Sequence, residues 1–183
     1  MIILALILLL LVLGFYFFRT RLIVPSAQVA GPSLSLAPAL KQVNLGETFN
    51  VDILINTDSQ NVASVDIFHL NFDPQFFAIS DADSGVGGTQ IQAGSIFPVI
   101  YQNNVDTNIG QIAFNAGKNI DGSGSFNGNG VLATIALQAL KEGTTNITFD
   151  FTPGQTNDCN IVLDTADGFP PDILAGVENG TFT

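Results

Sequence analysis

His69 and Cys159 are the only histidine and the only cysteine in the 183 residues. A catalytic thiol needs a base beside it, and His69 is the one candidate. Without a second histidine or a thiol cluster, a zinc-type centre lacks a ligand set. A lone cysteine also forms no internal disulfide, so Cys159 reads as a small buried side chain. The carboxylates gather in two loops, DADSGVGG (81–88) and DTADGFPPD (164–172). Their spacing offers oxygens to a Ca²⁺, but neither is a twelve-residue loop closed by a glutamate. They read as turns capped by aspartate. GSGSFNGNG (122–130) has the glycines of a phosphate cradle without its lysine or its following helix, and reads as a loop between strands. Paired carboxylates for glycoside hydrolysis need only the right geometry, yet no groove-forming architecture accompanies them. The chain is expected to bind rather than to catalyse.

The elements that must position such side chains begin after residue 21. Residues 1–18, MIILALILLLLVLGFYFF, carry no charge. A helix of that length spans about 27 Å, close to the hydrocarbon core of a bilayer. Residues 1–21 are therefore expected to form an N-terminal transmembrane or signal helix. No basic residue precedes it and no clean cleavage site follows it, which favours an uncleaved anchor, with secretion after cleavage as the alternative. Arg19 and Arg21 flank its C-terminal end, a placement that by itself would keep the domain inside. The remainder argues for export: three lysines (Lys41, Lys118, Lys141) stand against 16 acidic residues in an Asn-, Thr- and Gly-rich chain. The domain is expected outside the cell, at the membrane. That charge excludes nucleic acid as a partner, because nothing neutralises phosphates. Residues 22–32, with two prolines and no charge, read as a tether.

Residues 33–183 read as one all-β domain. TFNVDILIN (48–56) sets Phe49, Val51, Ile53 and Ile55 on one face. QIAFNAG (111–117) aligns Ile112 with Phe114, leaving Ala113 and Asn115 opposite. GVLATIALQAL (130–140) and TNITFDF (145–151) alternate in the same way. In DIFHLNFDP (66–74), period two puts Phe68, Leu70 and Phe72 on the core face and Ile67, His69 and Asn71 on the other. Many short strands with Gly/Asn/Asp turns predict a two-sheet antiparallel jelly-roll sandwich of about nine strands.

Four segments in order resemble the cohesin domain: SLSLAPALKQVNLGETFNVDILINT, VASVDIFHLNFDP, GQIAFNAG with GNGVLATIALQAL, and GTTNITFDF with NGTFT. The resemblance spans residues 32–183. It implies a non-catalytic module that binds a dockerin-like protein partner in polysaccharide-degrading assemblies. It implies no cofactor on this chain, the calcium belonging to the dockerin. Carbohydrate binding, known in the same superfamily, and self-association as a structural surface protein are the alternatives. There is one departure. In many cohesins the third-strand aspartate stands seven residues before the proline of Asp-Pro, whereas Asp66 stands eight before Pro74. One extra residue turns a side chain to the other face unless a bulge absorbs it. The expected partner contacts are therefore Ile67, His69, Asn71, Ala113 and Asn115.

Overall fold

The computed structural model describes residues 30–166 and 169–183. The expected helix over residues 1–21 lies outside them. Among the described residues no helix is long and apolar enough to cross a membrane.

The described chain forms strands β1 (Ser33–Ala37), β2 (Leu40–Lys41), β3 (Thr48–Asn56), β4 (Val62–Asn71), β5 (Phe77–Ile79), β6 (Gln92–Ala93) and β7 (Val99–Asp106). They are followed by β8 (Gln111–Gly117), β9 (Asn129–Ala139), β10 (Thr145–Phe149), β11 (Asn160–Leu163), β12 (Gly176–Glu178) and β13 (Gly180–Phe182). One sheet runs β12-β1-β3-β9-β5, with β6 also on β9. The other runs β2-β13-β10-β4-β8-β7, with β11 also on β4. Both sheets are mixed rather than antiparallel throughout, because β1 pairs β12 and β2 pairs β13 in parallel. The expected nine strands become thirteen among the described residues, several of them two- or three-residue pieces.

The core lies between the sheets and follows the alternation. Phe49, Val51, Ile53 and Ile55 of β3 are all buried, as are Ile112 and Phe114 of β8. Phe49, Phe77 and Phe182 close one end of the sandwich, with ring centroids 5.6 to 5.8 Å apart and two of the three contacts edge-on. That geometry suits the aromatic quadrupole and supplies bulk in a chain without tryptophan. At the end of β4, Asp73 caps its own turn: its Oδ1 accepts from the Gln75 amide at 2.8 Å. Gly110 holds this turn against the hairpin between β7 and β8. Its φ is +72°, and a Cβ there would lie 2.0 Å from the Phe72 carbonyl oxygen. Only glycine satisfies both conditions.

Candidate functional site

The extra residue of β4 is absorbed by a bulge. Ile67 pairs Phe114 and Leu70 pairs Ile112, so two residues of β4, Phe68 and His69, oppose Ala113 alone. The shift restores inward alternation on both sides: Val65, Ile67 and Leu70 are all fully buried. Ile67 thus belongs to the core and cannot be a surface contact. The uninterrupted period-two reading had placed it outward. Phe68, read as core-facing, lies instead on the outward side, half-buried and outside the core cluster. Asp66 is outward as well.

The outward face of β11-β4-β8-β7 is ordered in rows. Asn160, Asp66, Asn115 and Gln102 stand in register across the four strands. A second row, Thr148, Asn71, Gln111 and Asp106, crosses β10, β4, β8 and β7. Between the rows lie Phe68 and Ala113. Asn71 accepts a hydrogen bond from Gln111 Nε2 at 3.2 Å. His69 is half-exposed and turns toward Asp150, its Nδ1 lying 3.2 Å from Oδ2. Asn115 is on the outward face by register but is only 9% exposed. Of the five residues expected at a partner surface, His69, Asn71 and Ala113 are at least partly accessible, Asn115 is nearly covered, and Ile67 is in the core.

Asp66 and its neighbours are rich in acceptors. The Asn115 amide nitrogen donates to Gln102 Oε1 at 3.2 Å. The Asn160 amide nitrogen donates to the carbonyls of Asp158 at 3.0 Å and Thr156 at 3.3 Å. Both asparagine Oδ1 atoms are buried with no partner. Asp172 Oδ1 accepts from the Ile161 and Leu174 amides, each at 3.0 Å. Burial, and then the nearby Asp172 carboxylate, push the Asp66 carboxyl above its ordinary range, and no hydrogen bond lowers it. Next to this row the Tyr101 hydroxyl donates to the Lys118 carbonyl at 2.8 Å. The Tyr101 ring edge crowds Gly117, where a Cβ would meet it at 2.9 Å. A fixed, exposed ring thus borders the face.

The other sequence candidates resolve as turns and core. Asp81 Oδ1 accepts from the Asp83 and Gln90 amides, and Asp83 Oδ1 from Gly85. Among the described residues no group of three or more acidic, histidine or cysteine side chains is placed to hold a metal ion. Residues 167–168 of the second acidic loop lie outside the described residues. Cys159 does approach His69, but through the backbone: Sγ is 3.8 Å from the His69 carbonyl oxygen, while the imidazole faces Asp150. Burial is the main cause that pushes the thiol up to about 12. It is no nucleophile.

A family model described as the cohesin domain matches residues 36–168. The chain belongs to the cohesin family. Comparison with curated proteins gives no match. Solved cohesins share the fold. The seventh ScaB type I cohesin of Pseudobacteroides cellulosolvens aligns over 84% of this chain and 91% of its own, at 19% identity and a TM-score of 0.63. A type II cohesin from the Acetivibrio cellulolyticus cellulosome aligns over 83% and 95%, at 16% identity and 0.65. The Coh-OlpA–Doc918 complex of Clostridium thermocellum, a type I cohesin–dockerin complex, gives 83% and 97%, at 15% and 0.61. In this cohesin the bulge at Phe68 and His69 carries the extra residue between Asp66 and the Asp-Pro turn. Sequence reasoning set Asp66 aside and missed Phe68 and Asn160. The eight-residue spacing was the available sign for the first two; Asn160, a polar residue opening the apolar run NIVL, was the sign for the third.

Proposed function

We propose that this cohesin is a non-catalytic docking module that holds a dockerin-like protein through the outward face of β11-β4-β8-β7. The observation that carries the reading is the arrangement of that face: a half-buried Phe68 beside Ala113, framed by two polar rows. A partly apolar centre within a polar frame is the anatomy of a protein interface. Several structurally similar cohesins are complexes with dockerins, which supports the same partner class here. Calcium enters with the partner. The domain works outside the cell, tethered through residues 1–18.

Calorimetric titration with dockerin modules, with calcium and with EGTA, tests the reading. The expected result is 1:1 binding that is lost on chelation and weakened by Phe68→Ala. Binding to soluble glucans but to no dockerin would move the protein to the carbohydrate-binding class. The acidic surface adds a kinetic signature: association with a basic partner slows as salt is raised. An on-rate indifferent to ionic strength would refute that electrostatic component.

A further inference from the structure

Two large apolar side chains stand clear of the sandwich at one end. Phe169 is 98% exposed and Ile120 is fully exposed. Their loops meet there. β8 stops at Gly117 opposite Ser64, and the Lys118 amide donates to the Ala63 carbonyl at 2.8 Å. β11 stops at Leu163 opposite Val62, the first residue of β4, and the Leu163 amide donates to the Pro171 carbonyl at 3.0 Å. Phe126 bridges Val62, and the Thr57 amide donates to the Gly128 carbonyl at 3.0 Å, which brings in the turn between β3 and β4. Residues 57–61, 118–128 and 169–171 thus belong to one loop cluster, with the Lys118 ammonium paired to Asp164 across it.

Ile120 rides a closed turn. The Asn119 amide donates to the Ser123 carbonyl at 2.8 Å and the Gly122 amide to the Asn119 carbonyl at 2.9 Å. Asp121 Oδ1 accepts from the Ser123 amide at 2.9 Å and from its hydroxyl at 2.6 Å. A loop tied to itself in this way holds its crest away from the core. Single exposed apolar residues are ordinary on a protein surface. These two share the end at which the chain enters the domain. Ser33, the first residue of β1, is paired with Asn56, the last of β3, and the Ala175 amide donates to the Pro32 carbonyl at 2.8 Å. The tether therefore arrives beside the same loops. Its eleven residues, 22–32, reach at most about 40 Å when fully extended. The opposite end of the sandwich lies about 30 Å further away, the length of the nine-residue β3.

We propose that this loop cluster rests on the bilayer that holds residues 1–18, with Ile120 and Phe169 entering its interface. The inference rests on the anchor reading and goes beyond the docking reading. Apolar tips gain by burying hydrocarbon at the boundary between headgroups and acyl chains. Two side chains are too little for a stable contact between free proteins, which needs about 800 Å² on each partner. Beside a tethering membrane they are held at high effective concentration, and a weak contact suffices. Charge does not draw this end to lipid, since Asp58 and Asp121 flank the tips and Lys118 is paired with Asp164. The surface it fits is therefore zwitterionic. β4 begins at the cluster and β8 and β11 end there, so the docking face stands upright on the membrane and opens to the side.

The test uses the full-length chain in phosphatidylcholine liposomes. The sequence has no tryptophan, so Ile120→Trp, Phe169→Trp and, at the opposite end, Leu45→Trp each carry a single indole. Flotation on a density gradient separates anchored chain from free chain. In the floated samples, emission from Ile120→Trp and Phe169→Trp should shift to the blue. Dibrominated phosphatidylcholine should quench each at least about threefold more than Leu45→Trp. An indole itself favours the interface, so a second reporter, Gln60→Trp, keeps both native tips. Its quenching should fall at least about twofold when Ile120→Ser and Phe169→Ser are added. Unquenched, solvent-like emission from the tips of a floated chain, or equal quenching at Leu45→Trp, overturns the proposal and leaves the anchor standing. A blue shift without quenching assigns the tips to a second copy of the chain and also overturns it. So does Gln60→Trp quenching that ignores the two serine substitutions, since the tether alone then sets the orientation. A chain that does not float overturns the anchor reading and the proposal with it. Adding phosphatidylglycerol should weaken the quenching; stronger quenching would overturn the zwitterionic preference.

Discussion

Ile67→Ala and Phe68→Ala separate the two faces of β4. Ile67 is fully buried against Phe114, its partner across the strands. The substitution removes three carbons, about 2.4 kcal/mol at about 0.8 kcal/mol for each. The cavity left in a close-packed core raises this toward 3–4 kcal/mol. For a domain of this size each kcal/mol lowers the midpoint by about 2–4 °C, so Tm should fall by about 6–16 °C. Phe68 is larger but half-buried on the outward side, and its truncation should cost about 1–2 kcal/mol. Urea unfolding with an unchanged m-value measures both. Dockerin affinity should respond in the opposite order: the milder Ile67→Val leaves it unchanged, whereas Phe68→Ala weakens it. A larger stability loss for Phe68→Ala than for Ile67→Ala would refute the bulge assignment and restore the uninterrupted alternation.

Asp66→Asn should stabilise the domain at pH 7 and leave it unchanged at pH 3. The native Asp66 carboxyl holds its proton above the ordinary value of 3.8, so its contribution to stability falls as pH rises from there through the native value. Thermal melts across that range check the sign; a variant less stable at pH 7 would refute it. Gly110→Ala should cost at least about 2 kcal/mol, since a positive φ and a contact with the Phe72 carbonyl are both violated. Refolding yield and urea midpoints report it. The Cys159 thiol, fully buried and pushed up to about 12, should react with iodoacetamide at pH 8 only as fast as the domain opens. Reaction at the rate of a free thiol would contradict that burial.

The sandwich was legible wherever period two ran without interruption. Phe49, Val51, Ile53 and Ile55 are buried together because β3 alternates strictly, and the same holds for Ile112 and Phe114. Bulges broke the reading. On β9 the register shift opposite Ile53 and Leu54 leaves Val131 37% exposed, although alternation groups it with buried Ala133. On β4 the shift reversed Ile67 and Phe68 and returned Asp66 to the outward face. A bulge has no hydrophobic signature of its own; it shows only as a one-residue discrepancy against a known spacing. The parallel pairs β1–β12 and β2–β13 were also hidden, since they join segments more than 130 residues apart and local patterning carries no information about such partners. The candidate face suffered most. Its central row draws one residue from each of four strands, and only the register makes those four neighbours.

The last two strands lie in different sheets: β12 extends one sheet beside β1, and after Asn179 β13 enters the other between β2 and β10. Asn179 joins them further, its Oδ1 accepting from the Phe149 amide at 2.9 Å. During synthesis, the sandwich therefore cannot close until residues 176–182 have left the ribosome. Until then β1 and β10 each present an unpaired edge. The waiting nascent chain is at its stickiest just before its final strands arrive, and the speed of that last step sets how long those edges are open to other chains.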